Sequence, residues 1–512
     1  MPAKWLKDTV FYEIYPQSFR DTNGDGIGDI NGIIEKLDYI KGLGCNALWI
    51  NPCYDSPFKD AGYDVRDYKK VAPRYGTNND LYRLFGEAHK KGIRVLLDLV
   101  PGHTSEEHEW FKMSGKAQTN EYTNRYIWTN HWWQGCKDMP YIGGECERAA
   151  TYVLNFFKCQ PALNYGFARV EQPWQLPCDH PDCIATREAI KDVMRFWLSH
   201  GCDGFRVDMA ASLVKYDDDK KSATSAIWRN VRQMLDAEFP DAAMVAEWSA
   251  PKQALRAGYD MDFCLNNDDT RYYTLMRDYQ GGADNSFFKK DAPARDMGRF
   301  LEVYMDWYTD TRDLGYISLL TCNHDTVRPR FNLEPDELKL AYAFLFTMPG
   351  VPFLYYGDEI GMRYQQLPTK EGGYFRTGSR TPMQWDNGKN LGFSEGCADS
   401  LYLPVDPSAD APTVAAQEGQ PHSLLETVRA LLSLRHQEED LQADAAFEPV
   451  YVQPGQAFAY RRGSLLLAVN PAGGEAALPV DVQGKQPIFT IGSASAEGGG
   501  LTLGGQSFVV LK

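Results

Sequence analysis

The stretch GFRVDM, residues 204–209, decides the reading of this chain. Side chains on a strand alternate with period two, so Arg206 and Asp208 share one face while Phe205 and Val207 share the other. An Arg two residues before an Asp on the same face is expected to keep that carboxylate ionised.

Seven further β-rich runs accompany it: VFYEIYP from Val10, ALWINP from Ala47, RVLLDLV from Arg94, AMVAEW from Ala243, MDFCLN from Met261, YISLLTCNHD from Tyr316 and VPFLYYGDE from Val351. Amphipathic stretches stand between them, with apolar residues at i, i+3, i+4 and i+7 as at Ile30, Ile33, Ile34 and Leu37, or at Ile190, Val193, Met194 and Trp197. Gly42, Gly92 and Gly201 fall where such helices are expected to stop. Eight strands alternating with helices predict an α/β chain of the (β/α)8 TIM-barrel class.

Two gaps break the repeat. About 80 extra residues run from His103 to roughly Cys183, and a polar, glycine-containing stretch follows the eighth strand to about Pro421. After the helical segment SLLETVRALLSLRHQ the pattern changes to short alternating strands with Gly and Pro turns. The expected organisation is a barrel over 1–102 and 184–438, an inserted subdomain over 103–183 after strand 3, and a small C-terminal antiparallel β-sandwich over 439–512.

The charge balance, 53 Lys plus Arg against 69 Asp plus Glu for a net −16, opposes binding to nucleic acid or to an anionic membrane surface. No apolar run has transmembrane length, and the N-terminal segment lacks a signal-peptide pattern, so a cytoplasmic protein with mostly free thiols is expected. Among the 11 cysteines, Cys178 and Cys183 with His180 form a loose zinc-like grouping whose spacing matches no familiar finger, and reduced thiols are the simpler reading.

In a barrel of this kind the C-terminal strand ends form the active face. Strand three runs into Asp98 and then His103, strand four ends in Arg206 and Asp208, strand five in Glu247, and strand seven in His324 and Asp325. A lone Asp at a strand end is usually a helix cap. Three carboxylates around one mouth suit glycoside hydrolysis, in which one carboxylic acid protonates the leaving oxygen and a second carboxylate attacks or activates water.

GFRVDMA, VAEWS and CNHD, in this order with DLVPGH on strand three, resemble the sequence regions of glycoside hydrolase family 13, the α-amylase family, over about residues 5–390. The resemblance implies a retaining mechanism with Asp208 as nucleophile, Glu247 as acid/base and Asp325 gripping sugar hydroxyls. It also implies contacts of Arg206, His103 and His324 with the sugar or nucleophile, and a stacking platform at Tyr63. QPALN at Gln160, DTNGDGIGD, YYGDEIGM and RTPMQWD at Arg380 look like the oligo-1,6-glucosidase and α-glucosidase branch. In that branch an Asp and an Arg matching Asp60 and Arg380 close the subsite into a pocket. The expected activity is exo-hydrolysis of short α-1,4- or α-1,6-linked gluco-oligosaccharides, with a small α-glucoside as partner and no organic cofactor. A same-family transglycosylase or trehalose synthase-like isomerase would use the same triad. A non-catalytic binding relative is the third reading, and the intact acids oppose it.

Gly102 stands where family members carry an Asn before the histidine, so the resemblance carries no amylase-type calcium site to that position. Met209 after Asp208 leaves the linkage open. Asp21, Asn23, Asp25 and Asp29, with Gly26 at the turn and the Ile27 carbonyl available, have the alternate-oxygen spacing of an EF-hand loop without its final Glu. A polar turn is the rival reading; relatives imply structural Ca2+, or Mg2+, at the matching loop.

Overall fold

The computed structural model describes residues 2–372, 376–496 and 500–512. The eight runs become eight parallel strands: β1 Phe11–Ile14, β2 Ala47–Ile50, β3 Arg94–Leu99, β4 Gly204–Val207, β5 Ala243–Ala246, β6 Met261–Phe263, β7 Tyr316–Ser318 and β8 Phe353–Tyr355. Each pairs with its sequence neighbour among them, and β8 pairs with β1. A parallel bridge between Leu320 and Phe353 closes the ring.

Period-two alternation sorts the strand residues into two cores. Phe11, Ala47, Trp49, Leu96, Ala243, Val245, Met261, Phe263 and Phe353 fill the barrel interior. Their neighbours Tyr12, Leu48, Val95, Leu97, Phe205, Met244 and Ala246 pack outward into the larger core under the helices. One step further along the inward-facing rows come Glu13, Asn51, Asp98, Arg206, Asp208 and Glu247, so the same alternation that fills the barrel also delivers polar groups to its C-terminal mouth.

Gly204 opens β4 at φ 149, and a Cβ there would lie 2.0 Å from the Ala243 carbonyl oxygen. Only glycine allows β4 and β5 to approach this closely, which sets the strands that carry Asp208 and Glu247 side by side. The helix Leu37–Leu43 stops at Gly44, in the left-handed conformation, and not at Gly42 as the spacing predicted. Gly42 carries helical backbone, and Gly44 supplies the turn that lets the amide N–H groups reach back to the last carbonyls.

Between β3 and β4 the chain builds a short helix, Glu109–Ser114, and an antiparallel pair, Tyr141–Gly143 with Thr151–Val153, before the long helix Pro181–Ser199 returns it to the barrel. The segment after β8 is a run of short 3-10 turns leading to the helix Leu424–Gln437. Beyond it lie a five-stranded antiparallel sheet and a three-stranded one with an apolar layer of their own. Among the described residues no helix is long and apolar enough to cross a membrane. Among the same residues every cysteine is a free thiol, and no Cys, His, Asp or Glu trio gathers as a ligand cluster.

Candidate active site

Strand register places the central arginine. Arg206 on β4 is paired with Asp98 on β3, and the chain continues past the ladder with the Asp208 N–H donating to the Leu99 carbonyl and the Glu247 N–H to the Val207 carbonyl. Arg206 is fully enclosed and reaches three carboxylates: Asp98 at 2.8 Å, Asp208 at 3.1 Å and Glu247 at 2.8 Å. The face of Trp49 lies 5.1 Å from its guanidinium. Glu247 also accepts the Met209 N–H at 2.9 Å, with Met209 in a left-handed conformation at φ 45.

One guanidinium among three acids, two of them buried, cannot neutralise all of them. Burial and the neighbouring Glu247 push the Asp208 carboxyl well above the usual carboxylate range, with Arg206 opposing. Burial likewise lifts Asp98 to about 6 against the pull of Arg206. Arg206 favours the ionised form of Asp208, as the spacing suggests, but its single charge is shared with Asp98 and Glu247, and burial opposes it.

Asp325 behaves in the opposite way. Burial favours its neutral form, but His324, Arg376 and Arg380 together outweigh this and hold its carboxyl well below the usual range. Arg376 stands 3.0 Å and Arg380 2.7 Å from the same Asp325 oxygen. His324 sits beneath the pocket with Nδ1 2.8 Å from Glu13 and Nε2 2.7 Å from the Tyr63 hydroxyl. Burial lowers its pKa well below the ordinary value, with Asp325 opposing. His103, lowered to about 4 by burial, donates from Nε2 to the Tyr63 carbonyl and accepts from Asn155 at Nδ1. Beside Gly102 the local cation is Lys215, which donates to Asn155 and to the Ser212 carbonyl.

These groups surround a cavity of about 340 Å³ lined by Asp60, Tyr63, His103, Asp208, Glu247 and Asp325, with Phe156, Met209, Leu265 and Arg376 completing the wall. That volume lies at the low end of the roughly 300–1,000 Å³ typical of ligand sites. Arg206, His324 and Arg380 stand behind the wall; Arg206 contacts Asp208, the residue expected to be the nucleophile, and Arg380 contacts Asp325.

The largest departure concerns the arginine across from Asp60. Arg376 makes that contact, at 3.0 Å, while also holding Asp325. Arg380 is turned inward to the His324 carbonyl and Glu371, where no solvent reaches it. Two arginines four residues apart stand in the loop after β8, on either side of the 3-10 turn Thr377–Ser379, and this turn directs them to different depths. Asp60 accepts a further hydrogen bond from Gln160, and burial raises it to about 6 against the effect of Arg376. The paired arginines in FRTGSR are the signal from which Arg376 could have been read; Phe156, 52% exposed at the mouth, lies in the inserted segment and had none.

The loop 21–29 coils around its own side chains. Asp21 is buried, accepting the N–H groups of Asn23, Gly24 and Gly26 and the Ser394 hydroxyl. Asn23 accepts the Asp25 N–H and Asp25 accepts the Ile27 N–H. Asp29 is the N-cap of the helix Ile30–Glu35 and also holds Thr22. The oxygens suit a hard cation in type and order. The acids do not gather as a cluster, and Asp29 is already engaged as a cap.

A closed (β/α)8 barrel whose C-terminal mouth gathers three acids, buried arginines and a stacking tyrosine defines a glycoside-processing enzyme. The alpha amylase catalytic-domain model matches residues 13–444, and the chain belongs to that family. It is 34% identical over 484 residues to the trehalose synthase/amylase TreS of Mycolicibacterium smegmatis, covering 85% of this chain and 76% of that one. It is 31% identical over 536 residues to the oligo-1,6-glucosidase of Heyndrickxia coagulans, covering 91% and 92%. A mutant isomaltulose synthase from Erwinia rhapontici, solved in complex with its natural substrate sucrose, matches 99% of each chain with a TM-score of 0.80 at 26% identity. The activity is accordingly of the glycoside hydrolase or transglycosylase kind, on a carbohydrate substrate.

Proposed function

We propose that this enzyme is a retaining, exo-acting α-glucosidase that removes one glucose at a time from the non-reducing end of short α-linked gluco-oligosaccharides. The observation that carries the reading is the Arg376 bridge between Asp60 and Asp325, which walls one end of the cavity. A guanidinium fork and two carboxylates can donate to and accept from the vicinal hydroxyls of a terminal glucose, and they leave no path for a longer chain to pass.

In the proposed reaction Asp208 attacks the anomeric carbon while Glu247 gives its proton to the departing glycosidic oxygen. The covalent glucosyl–Asp208 ester is then opened by a water molecule whose proton returns to Glu247. Asp325, kept ionised by two arginines, accepts from sugar hydroxyls and favours the distorted ring. Tyr63, stacked on His324 with centroids 5.3 Å apart, offers the platform under that ring. The test is NMR of the first products from α-linked di- and trisaccharides. Glucose released initially as the α-anomer, singly, is expected; β-glucose, or rapid loss of starch viscosity, would overturn the reading.

A second reading, isomerisation of a disaccharide within the pocket, is favoured by the 34% identity to a trehalose synthase/amylase. Conversion of maltose to trehalose with little free glucose would select it. As a further part of the proposal, the oxygens of Asp21, Asn23, Asp25, Asp29 and the Ile27 carbonyl hold a structural calcium or magnesium ion that ties down the loop without entering the chemistry.

A further inference from the structure

We propose that Asp262 is a positioning residue for Glu247: from the adjacent strand, its carboxylate fixes the backbone that leaves β5 directly after the acid/base. The proposal rests on the reading of Glu247 as acid/base given above. Asp262 lies in the middle of β6, between Met261 and Phe263, whose side chains fill the barrel interior, so it faces the opposite side of the strand. It is wholly buried and does not line the catalytic cavity.

Its partner in the strand register is Ala246, the last residue of β5. Beyond Glu247, whose N–H still donates to the Val207 carbonyl at the end of β4, the chain turns out of the sheet. Asp262 takes up three amides in succession: its Oδ1 accepts the N–H groups of Trp248 and Ser249, both at 3.2 Å, and its Oδ2 accepts that of Ala250 at 2.8 Å. The first of these belongs to the peptide unit that begins at the Glu247 carbonyl, so the carboxylate sets the plane into which Glu247 delivers its side chain. The second belongs to Ser249, held in the left-handed conformation at φ 58, which a non-glycine residue adopts only when its surroundings enforce it. A second stitch supports the first. The Ser249 hydroxyl donates to the Phe263 carbonyl at 3.1 Å and accepts the Leu265 N–H at 3.3 Å.

A buried acid is an expensive way to satisfy amides; burial pushes its pKa up, and the hydrogen bonds from the Ala250, Ser249 and Trp248 amides favour the charged form. A neutral side chain would serve a purely structural loop; two acceptor oxygens reaching three consecutive amides define the orientation of the turn. The Glu247 side chain is held at its tip by Arg206 and the Met209 amide. Holding both ends keeps the acid aimed at the leaving oxygen within the narrow tolerance that proton transfer needs.

The experiment measures kcat/KM for aryl α-glucosides of graded phenol acidity in the parent, Glu247→Gln and Asp262→Asn proteins. Loss of general acid catalysis steepens the dependence on leaving-group acidity, whereas a general structural defect lowers all substrates in parallel. Asp262→Asn is expected to lower kcat/KM about tenfold or more for the least acidic phenol but by less than about threefold for the most acidic, part of the roughly 100- to 10,000-fold of a full general acid. Glu247→Gln should show the complete effect. An unchanged slope for Glu247→Gln would defeat the acid/base reading itself. A steep slope for Glu247→Gln with a parallel line for Asp262→Asn would defeat only the positioning role. Should Asp262→Asn not fold, Ser249→Ala carries the test: a steeper slope supports the proposal, and a parallel one overturns it.

Discussion

Replacing Arg376 with Ala removes the group that joins the two ends of the pocket, and its consequences separate binding from stability. The guanidinium is 3.0 Å from Asp60 and 3.0 Å from Asp325. A hydrogen bond to a charged group contributes about 1.5–3 kcal/mol, so losing one such contact to a terminal sugar should lower kcat/KM about 10- to 150-fold. Asp60 is lifted to about 6 by burial while Arg376 opposes the rise, so without the arginine its carboxyl climbs further. The acid limb of the pH profile should therefore move to higher pH. Stability should change little, because Asp60 can take up a proton and Asp325 keeps Arg380 at 2.7 Å. The assay is kcat/KM on maltose and isomaltose across pH, with a melting curve for each protein. A kcat/KM within about threefold of the parent and an unmoved acid limb would refute the pocket argument.

Arg380→Ala should do the reverse in calorimetry, destabilising by about 3–5 kcal/mol because it strands the buried Glu371 without its cation; a melting temperature equal to that of Arg376→Ala would contradict this division of roles. Asp60→Asn should stabilise the fold at neutral pH while harming turnover. The folded state binds the Asp60 proton more tightly, so stability is greatest below the ordinary pKa of 3.8, falls as pH rises to about 6, and is level above. That rise corresponds to at most about 3 kcal/mol recovered by the neutral amide, and denaturant unfolding at pH 5 and 8 measures it. Asp208→Asn should fold normally and turn over no ordinary glycoside, and retained activity would remove Asp208 from the nucleophile's role. Chelation should lower the melting temperature of the parent, and that effect should be absent from an Asp21→Ala, Asp25→Ala protein. Equal responses of the two proteins would count against an ion in the loop.

The barrel strands and the three acids were legible because both depend on short-range order. Alternation along GFRVDM puts Arg206 and Asp208 on one face whatever the rest of the chain does, and β-rich runs alternating with helical spacing leave few architectures other than a barrel. The family motifs then attach a role to each acid. Helix ends were read less well, as Gly42 and Gly44 illustrate, since either glycine can follow a periodic stretch and the local backbone chooses between them. What tertiary structure alone decided is which charges meet. Asp60 and Arg376 are 316 positions apart, and only the path of the loop after β8 brings this arginine to the wall and buries Arg380 behind it. Asp262 looks like any strand residue until β5 ends beside it and leaves three amides unpaired. Electrostatics belongs to the same level: Arg206 beside Asp208 favours an ionised carboxylate, but burial and the sharing of one guanidinium with two more acids oppose it. A sequence specifies side chains and their local periodicity, whereas desolvation and Coulomb energies depend on distances that exist only once the barrel has closed.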